Sequence, residues 1–182
     1  MTQFDRDTFI ADVRAALADG QPAVEETLGA AVADAGGVLR GLGEPEHAGI
    51  RTLYRSPALT ILNIVWAPHM VLQPHDHNMW ASIGLYTGRE DNVIWARDGD
   101  RVKAAGAASL SAGDVFGMDT DGVHSVLNPI PRLTGAIHIY GGDFFAPGRH
   151  QWDPETLEKE PFDVDALRRS FAAAEQRFAK AC

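Results

Sequence analysis

The stretch Leu59-Thr-Ile-Leu-Asn-Ile-Val-Trp66 is a short run of β-branched and aromatic residues. Three similar runs follow at residues 80–86, 92–95 and 133–140, and turn-forming Gly, Pro, Asp and Asn residues separate them. Many short strands divided by turns are typical of a β-sandwich or barrel, whereas a helix bundle or a βαβ fold would need helical periodicity here. The sequence therefore predicts a mainly β core.

Amphipathic helices are predicted before this core, within residues 1–48. Apolar residues at helical spacing indicate a first helix that ends at Gly20. A second helix is predicted from Pro22 to just before Gly36-Gly37, because proline favours the first turn of a helix. We expect both helices to pack against the main body of the protein.

A further helix is predicted at residues 163–182, where Leu167, Phe171, Ala174 and Phe178 share one face. The stretch from Pro147 to Pro161 contains acidic residues and prolines and is predicted to be a surface loop. We therefore expect one domain over residues 1–182, with the β-barrel in residues 50–145.

Composition limits the classes of partner. The chain of 182 residues has 16 Lys plus Arg against 25 Asp plus Glu, for a formal net charge of −9. This balance argues against nucleic acid and against an anionic membrane surface. The single cysteine, Cys182, excludes an intramolecular disulfide and a cysteine-based zinc site, and the acidic start does not resemble a signal peptide. We expect a soluble, cytoplasmic protein; its oligomeric state is left open.

Seven histidines stand out in this chain. His75 and His77 are two residues apart in a segment that is predicted to be extended, so both imidazoles point to the same side while Asp76 points away. A catalytic metal needs a third ligand, and His124 in a turn-rich segment is the leading candidate.

The spacing around these histidines resembles that of the two cupin motifs. The first motif matches at His75, His77 and Gly88, and the second at Gly113, His124 and Asn128. The resemblance implies a cupin double-stranded β-helix, which is a jelly-roll barrel, with a metal site inside.

One departure from the cupin pattern bears on the chemistry. Ala81 stands at the position of the motif's glutamate, or Ser82 if the spacer is one residue longer, so we expect three neutral histidine ligands and no carboxylate. Imidazole ligands suit iron, zinc, copper or nickel, and manganese is also kept open as the ion loaded. Zinc would indicate hydrolysis or hydration, and iron would indicate oxygen chemistry.

Within the cupins, residues 50–145 resemble the cysteine dioxygenase family of thiol dioxygenases. The resemblance lies in Trp66 nine residues before the His-Asp-His triplet, the missing glutamate, His124-Ser-Val-Leu-Asn128 and the strand Ile137-His138-Ile139-Tyr140. It implies that His75, His77 and His124 hold Fe(II). It also implies that a small thiol carboxylate and O2 give a sulfinate; the candidates are cysteine, 3-mercaptopropionate and mercaptosuccinate.

The same resemblance assigns roles to two residues beside the metal. Tyr140 would order oxygen and substrate, and His138 would orient Tyr140. The family has a serine two residues before this histidine, but this chain has Ala136, and Thr134 or Ser125 would have to take its place.

An arginine on a strand before the first metal strand clamps the substrate carboxylate in this family. Arg55 and Arg51 are the candidates for this role, and we favour Arg55. An exposed ion pair is the competing interpretation of either residue.

Two other functions fit the same residues. One is a non-catalytic metal-binding cupin that binds a small molecule. The other is a different metal-dependent cupin enzyme, such as a hydrolase, isomerase or lyase.

Overall fold

Two antiparallel sheets form the body of the protein in the computed structural model, which describes residues 4–181. Three N-terminal helices precede the sheets: α1 (Arg6–Ala16), α2 (Gln21–Ala33) and α3 (Ala35–Leu42). The strands within the described residues are β1 (Gly49–Arg55), β2 (Thr60–Trp66), β3 (Val71–Asp76), β4 (Ala81–Thr87), β5 (Arg89–Asp98), β6 (Arg101–Ser111), β7 (Val115–Met118), β8 (Val123–Leu127), β9 (Thr134–Tyr140), β10 (His150–Trp152) and β11 (Lys159–Pro161). Helix α4 (Val164–Ala181) follows, and Cys182 lies outside the described residues.

The order of the strands defines the architecture. One sheet has the order β1-β2-β9-β4-β7 and the other has the order β11-β10-β3-β8-β5-β6. The chain crosses from one sheet to the other between β2 and β3, between β3 and β4, and between β4 and β5. It crosses again at each connection from β6 to β9. This winding makes the fold a double-stranded β-helix of the cupin type, as the sequence predicted.

The central strands β2, β4 and β9 of the first sheet are buried on both faces because helices cover its outer side. Ile137 and Ile139 of β9 join the apolar cluster of α1 and α2, whereas Ala136 and Tyr140 join the cluster between the sheets. Successive residues of a strand point to opposite faces, which explains why every residue of β9 is buried. This parity directs His138 and Tyr140 into the interior.

The second predicted helix corresponds to α2, but the sequence reasoning missed a third helix and two short strands. The helical segment continues through Gly36 and Gly37 as α3, because the Asp34 carboxylate accepts a hydrogen bond from the Gly37 N–H at 2.9 Å and starts a new helix there. The predicted surface loop at residues 147–161 contains β10 and β11, and Trp152 in it is fully buried. Strands of three residues are too short to give a periodic signal.

Helix α4 covers one end of the sheet pair. Leu167, Phe171 and Ala174 are buried, and Phe171 stacks on Trp66 at 5.2 Å between ring centroids. The Asp163 carboxylate accepts a hydrogen bond from the Ala166 N–H at 2.8 Å and begins the helix. Among the helices that the structure describes, none has the length and apolarity needed to cross a bilayer.

Candidate metal centre

The three histidines predicted as metal ligands meet inside the protein. His75 on β3 lies directly opposite His124 on β8, and His77 follows β3 by one residue. All three are buried, and one ligand nitrogen from each lies within 4.8 Å of the others. A register shift between Leu72 and His75 interrupts the ladder just before the first ligand, and such bulges redirect side chains.

Asp76 points away from this cluster and anchors it from behind. Its buried carboxylate accepts hydrogen bonds from Arg97 Nη2 at 3.0 Å and from the backbone N–H of His150 at 2.7 Å. These bonds fix the position of Asp76, the residue between the two histidines of the His-x-His pair. Asp76 therefore supports the site structurally and is not one of the candidate metal ligands.

The nitrogen positions fit a divalent metal ion. His77 Nε2 and His124 Nε2 lie 3.1 Å apart. Two nitrogens bound to one ion at about 2.0–2.1 Å are separated by about 2.8–3.4 Å for ligand angles between octahedral and tetrahedral. His75 Nδ1 donates to the Gln73 carbonyl at 3.0 Å and His124 Nδ1 donates to Asn92 Oδ1 at 2.7 Å. Both rings therefore carry a lone pair on Nε2, which is the form that a metal requires.

Burial keeps these imidazoles neutral. Desolvation lowers the pKa of His75 to about 4 and holds the pKa of His77 and His124 well below the ordinary value. The cluster consists of three histidines, with no carboxylate among its ligand atoms in the described residues. An ion held there would keep its full positive charge, which favours anionic ligands from a substrate.

We predict that the metal-free protein loses stability in mild acid. Unfolded His75 takes up a proton near pH 6.5, whereas the folded form does so only near pH 4. The stability due to neutral His75 is therefore complete above about pH 6.5 and is lost as the pH falls to 4. The loss in unfolding free energy is about 3 kcal/mol. Urea unfolding at pH 7, 5.5 and 4 measures it, and an unchanged free energy over this range would contradict the prediction.

Tyr140 and His138 lie beside the cluster, on the same inward face of β9. The Tyr140 hydroxyl is 3.1 Å from His138 Nδ1, and the Tyr140 ring contacts His77 with centroids 4.9 Å apart. Burial raises the pKa of Tyr140 above its ordinary value, so the phenol is protonated at neutral pH. The pair is therefore placed to give or accept a hydrogen bond within the cavity beside the three histidines.

Neither residue considered as a replacement for the missing serine contacts His138. Thr134 Oγ1 is bonded to the backbone of Arg89, and Ser125 Oγ accepts from Trp95 Nε1 at 3.0 Å. Both hydroxyls are thus engaged elsewhere.

Glu90 on β5 takes the position behind His138, and the sequence reasoning missed it. Its fully buried Oε2 is 3.7 Å from His138 Nε2 and accepts a hydrogen bond from Trp66 Nε1 at 2.7 Å. The sequence gives no signal for this, because residues 89–92 are all polar, and only the structure shows that Glu90 and Asn92 are buried while Arg89 and Asp91 are more exposed. A carboxylate on the inward face of a strand is unusual and indicates a role.

The structure does not bring Arg55 or Arg51 to the histidines. Arg55 forms a two-bond ion pair with Asp143, both bonds at 2.8 Å, and its side chain is half exposed. Arg51 is exposed and reaches the Leu42 carbonyl at 3.3 Å. Neither lines the cavity beside the histidines, because both point outward from edge strand β1.

Arg149 is the arginine that lies near the cluster. It directly precedes β10, which pairs with β3 opposite His75. Its guanidinium lies between the rings of Phe144 and Phe162, at 4.1 and 4.2 Å from their centroids. Its Nε and Nη1 are buried without a hydrogen-bond partner in the described part of the chain. Sequence reasoning missed this residue because it falls in the stretch predicted to be a loop.

A small cavity lies beside the histidine cluster. Its volume is about 20 Å³, and its walls include His75, His124, His138 and Tyr140. Aromatic side chains from around the site and from α4 complete the lining, namely Phe144, Phe162 and Phe171. A space of this size holds about one water molecule, so a larger ligand requires some of these aromatic side chains to move.

Comparison with solved structures finds proteins that are similar to part of this chain. No family model matches the chain. A double-stranded β-helix protein of the RmlC-like cupin family from Methanocaldococcus jannaschii is 10% identical, with a TM-score of 0.45 over 56% of this chain and 86% of that one. The DMSP lyase DddQ from Ruegeria pomeroyi is 14% identical, with a TM-score of 0.48 over 60% and 54%. A deletion mutant of Bacillus subtilis oxalate decarboxylase OxdC is 18% identical, with a TM-score of 0.45 over 59% and 29%. The winding of the strands and the three buried histidines describe this chain: a cupin-type double-stranded β-helix with a candidate metal centre between its sheets.

Proposed function

We propose that the protein is an iron(II)-dependent thiol dioxygenase that converts a small thiol carboxylate into its sulfinate. In this reaction RSH and O2 give RSO2H: both oxygen atoms become bonded to sulfur, which loses four electrons as O2 gains four. The observation that supports the proposal is a donor set of three neutral histidines near a buried arginine whose Nε and Nη1 have no partner among the described residues. The ligand set carries no negative charge, and a thiolate bound to the ion and a carboxylate bound to the arginine would supply it.

The proposal assigns a role to each side chain at the site. His75, His77 and His124 hold the ion, and a bound Fe(II) would supply the redox chemistry that joins O2 to sulfur. Arg149 binds the substrate carboxylate through N–H groups that have no partner among residues 4–181. Tyr140, backed by His138, orients the reactants by hydrogen bonding.

The lining of the site favours one kind of thiol among the three candidates. Mercaptosuccinate has a second carboxylate, but Arg51 and Arg55 bond to other groups away from the histidines. Arg149 does not itself line the cavity, but it contacts Phe144 and Phe162, which do. It is the single arginine to which this proposal assigns a carboxylate. Cysteine has an ammonium group, which a carboxylate would stabilise. The cavity wall consists of apolar residues, histidines and Tyr140, and none of these lining residues is a carboxylate. We therefore propose that 3-mercaptopropionate, which has one carboxylate and no ammonium group, is the preferred type.

The cytoplasmic location stays a prediction from the sequence.

Oxygen uptake on a panel of thiols tests this function. The Fe(II)-loaded protein is given 3-mercaptopropionate, cysteine and mercaptosuccinate, with 2-mercaptoethanol as the thiol that lacks a carboxylate. We expect one O2 consumed per thiol and a sulfinate in the mass spectrum, with 2-mercaptoethanol the slowest. Absence of uptake with every thiol would overturn the proposal, and metal and ligand binding without turnover would indicate a binding module instead.

A second candidate is a metal-dependent lyase or hydrolase of the same fold. Tyr140, His138 and Glu90 lie in a row, and such a row can move a proton to or from a substrate. This enzyme would not need oxygen. Turnover of a substrate under strictly anaerobic conditions, together with no oxygen uptake, distinguishes it from the dioxygenase.

A further inference from the structure

Glu90 connects two parts of the site that the sequence treats as separate. Its carboxylate is fully buried on β5, at the same inward face as Asn92. One oxygen faces Trp66 and His138, and the other faces Asn92. One branch leads through Asn92 to the metal ligand His124, and the other leads through His138 to Tyr140.

The first branch fixes the side-chain amide of Asn92. A carboxylate only accepts hydrogen bonds, so Asn92 must turn its Nδ2 towards Glu90 Oε1, at 3.0 Å. The amide oxygen then faces His124 Nδ1 at 2.7 Å, and that nitrogen must carry the proton. As a result the lone pair of His124 lies on Nε2, the atom that faces His77.

The second branch fixes the tautomer of His138 in the same way. Nε2 of His138 is 3.7 Å from Glu90 Oε2 and has no hydrogen-bond partner among the described residues. Both oxygens of Glu90 accept hydrogen bonds, from Trp66 and from Asn92, and an accepting oxygen that faces Nε2 favours the proton on that nitrogen. Nδ1 is then the acceptor, and the Tyr140 hydroxyl donates to it at 3.1 Å. The oxygen lone pairs of Tyr140 are left for a partner in the site.

We propose that Glu90 is a positioning residue that sets the proton positions of both branches, so that His124 offers Nε2 to the metal and Tyr140 donates to His138. Glutamine has the same shape but cannot replace it. Its NH2 group would face the donor Nε1–H of Trp66 on one side or the donor Nδ2–H of Asn92 on the other. The inference needs the metal centre but not the thiol chemistry, so it can fail or hold independently of the proposed reaction.

Nitrogen NMR of the metal-free protein tests the second branch without any activity assay. In protein labelled with 15N-histidine, the ring signals distinguish the two tautomers, and a His138→Gln variant assigns the signal. We expect the Nε2–H form in the wild type and a shift towards the Nδ1–H form in Glu90→Gln. Finding the Nδ1–H form in the wild type would overturn the proposal, and this result needs no variant that might fail to fold.

Zinc(II) binding, measured by competition with a chelator, tests the first branch. We expect Glu90→Gln to weaken the affinity by about 10–100-fold, as is usual when a group that orients a ligand is lost. Asn92→Ala should weaken zinc binding without changing the His138 tautomer. His138→Gln should leave zinc binding as in the wild type.

Glu158→Gln is the matched control, because this glutamate is exposed and its side chain pairs with the surface residue Arg101. It should change neither the zinc affinity nor the His138 tautomer. A folded Glu90→Gln variant with wild-type zinc affinity and a wild-type His138 tautomer would contradict the inference.

Discussion

Replacing His124 by alanine is expected to remove the metal from the protein and, with it, all oxygen uptake. Binding of a divalent ion by four protein ligands is worth about 10–16 kcal/mol, or about 3–4 kcal/mol for each ligand. The loss of one histidine should therefore weaken affinity by about 100–1,000-fold. The substitution also leaves Asn92 Oδ1, which accepts from His124 at 2.7 Å, without its donor. Metal content after dialysis and zinc competition measure the effect.

His47→Ala is the matched histidine control for this experiment. The His47 side chain is 79% exposed and pairs with Glu175 at the surface, away from the cluster. It should retain the metal content of the wild type. If His124→Ala also keeps full occupancy under the same dialysis, the assignment of the three ligands is wrong.

Replacing Arg149 by methionine is expected to raise the KM for a thiol carboxylate by about 10–100-fold while the metal content stays unchanged. A hydrogen bond from a charged donor to a carboxylate contributes about 1.5–3 kcal/mol. The Nε and Nη1 atoms of Arg149 have no partner in the described part of the protein, and because their N–H groups lie on different sides of the guanidinium, one carboxylate takes one such bond from them. Steady-state oxygen uptake at varied substrate concentration measures the change.

The same substitution should not destabilise the protein. Burial disfavours the charged guanidinium and lowers the pKa of Arg149, so removing the charge relieves a cost of about 1–3 kcal/mol. The contacts with Phe144 and Phe162 offset part of this gain, and the methionine side chain keeps some of them. We expect an unchanged or higher Tm, which separates a binding role from a packing role.

Arg55→Met is the control for the substrate-binding arginine. Its ion pair with Asp143 is exposed, and exposed pairs contribute about 0–1 kcal/mol. We expect the KM of this variant to match that of the wild type. An increase in KM with Arg55→Met and none with Arg149→Met would instead indicate that Arg55, the residue favoured from the sequence, binds the substrate carboxylate.

The sequence was informative wherever a local pattern carries the information. The runs at residues 59–66, 80–86 and 133–140 correspond to β2, β4 and β9, since β-branched and aromatic residues mark buried strands. The spacing of His75 and His77 placed both rings on one side, and the structure brings His124 to them. The same period-two rule placed His138 and Tyr140 on one inward face.

Only the tertiary structure identified Arg149 and Glu90 as parts of the site. Arg149 precedes a strand of three residues, and its proximity to the histidines depends on the pairing of β10 with β3, which no local pattern encodes. Glu90 meets Trp66 across 24 positions of sequence. A charged side chain resembles a surface residue in the sequence, and its burial is decided by which distant strands pack over it. The local periodicities of this chain therefore predicted its strands and the face of its histidines, whereas long-range packing decided which charges surround them.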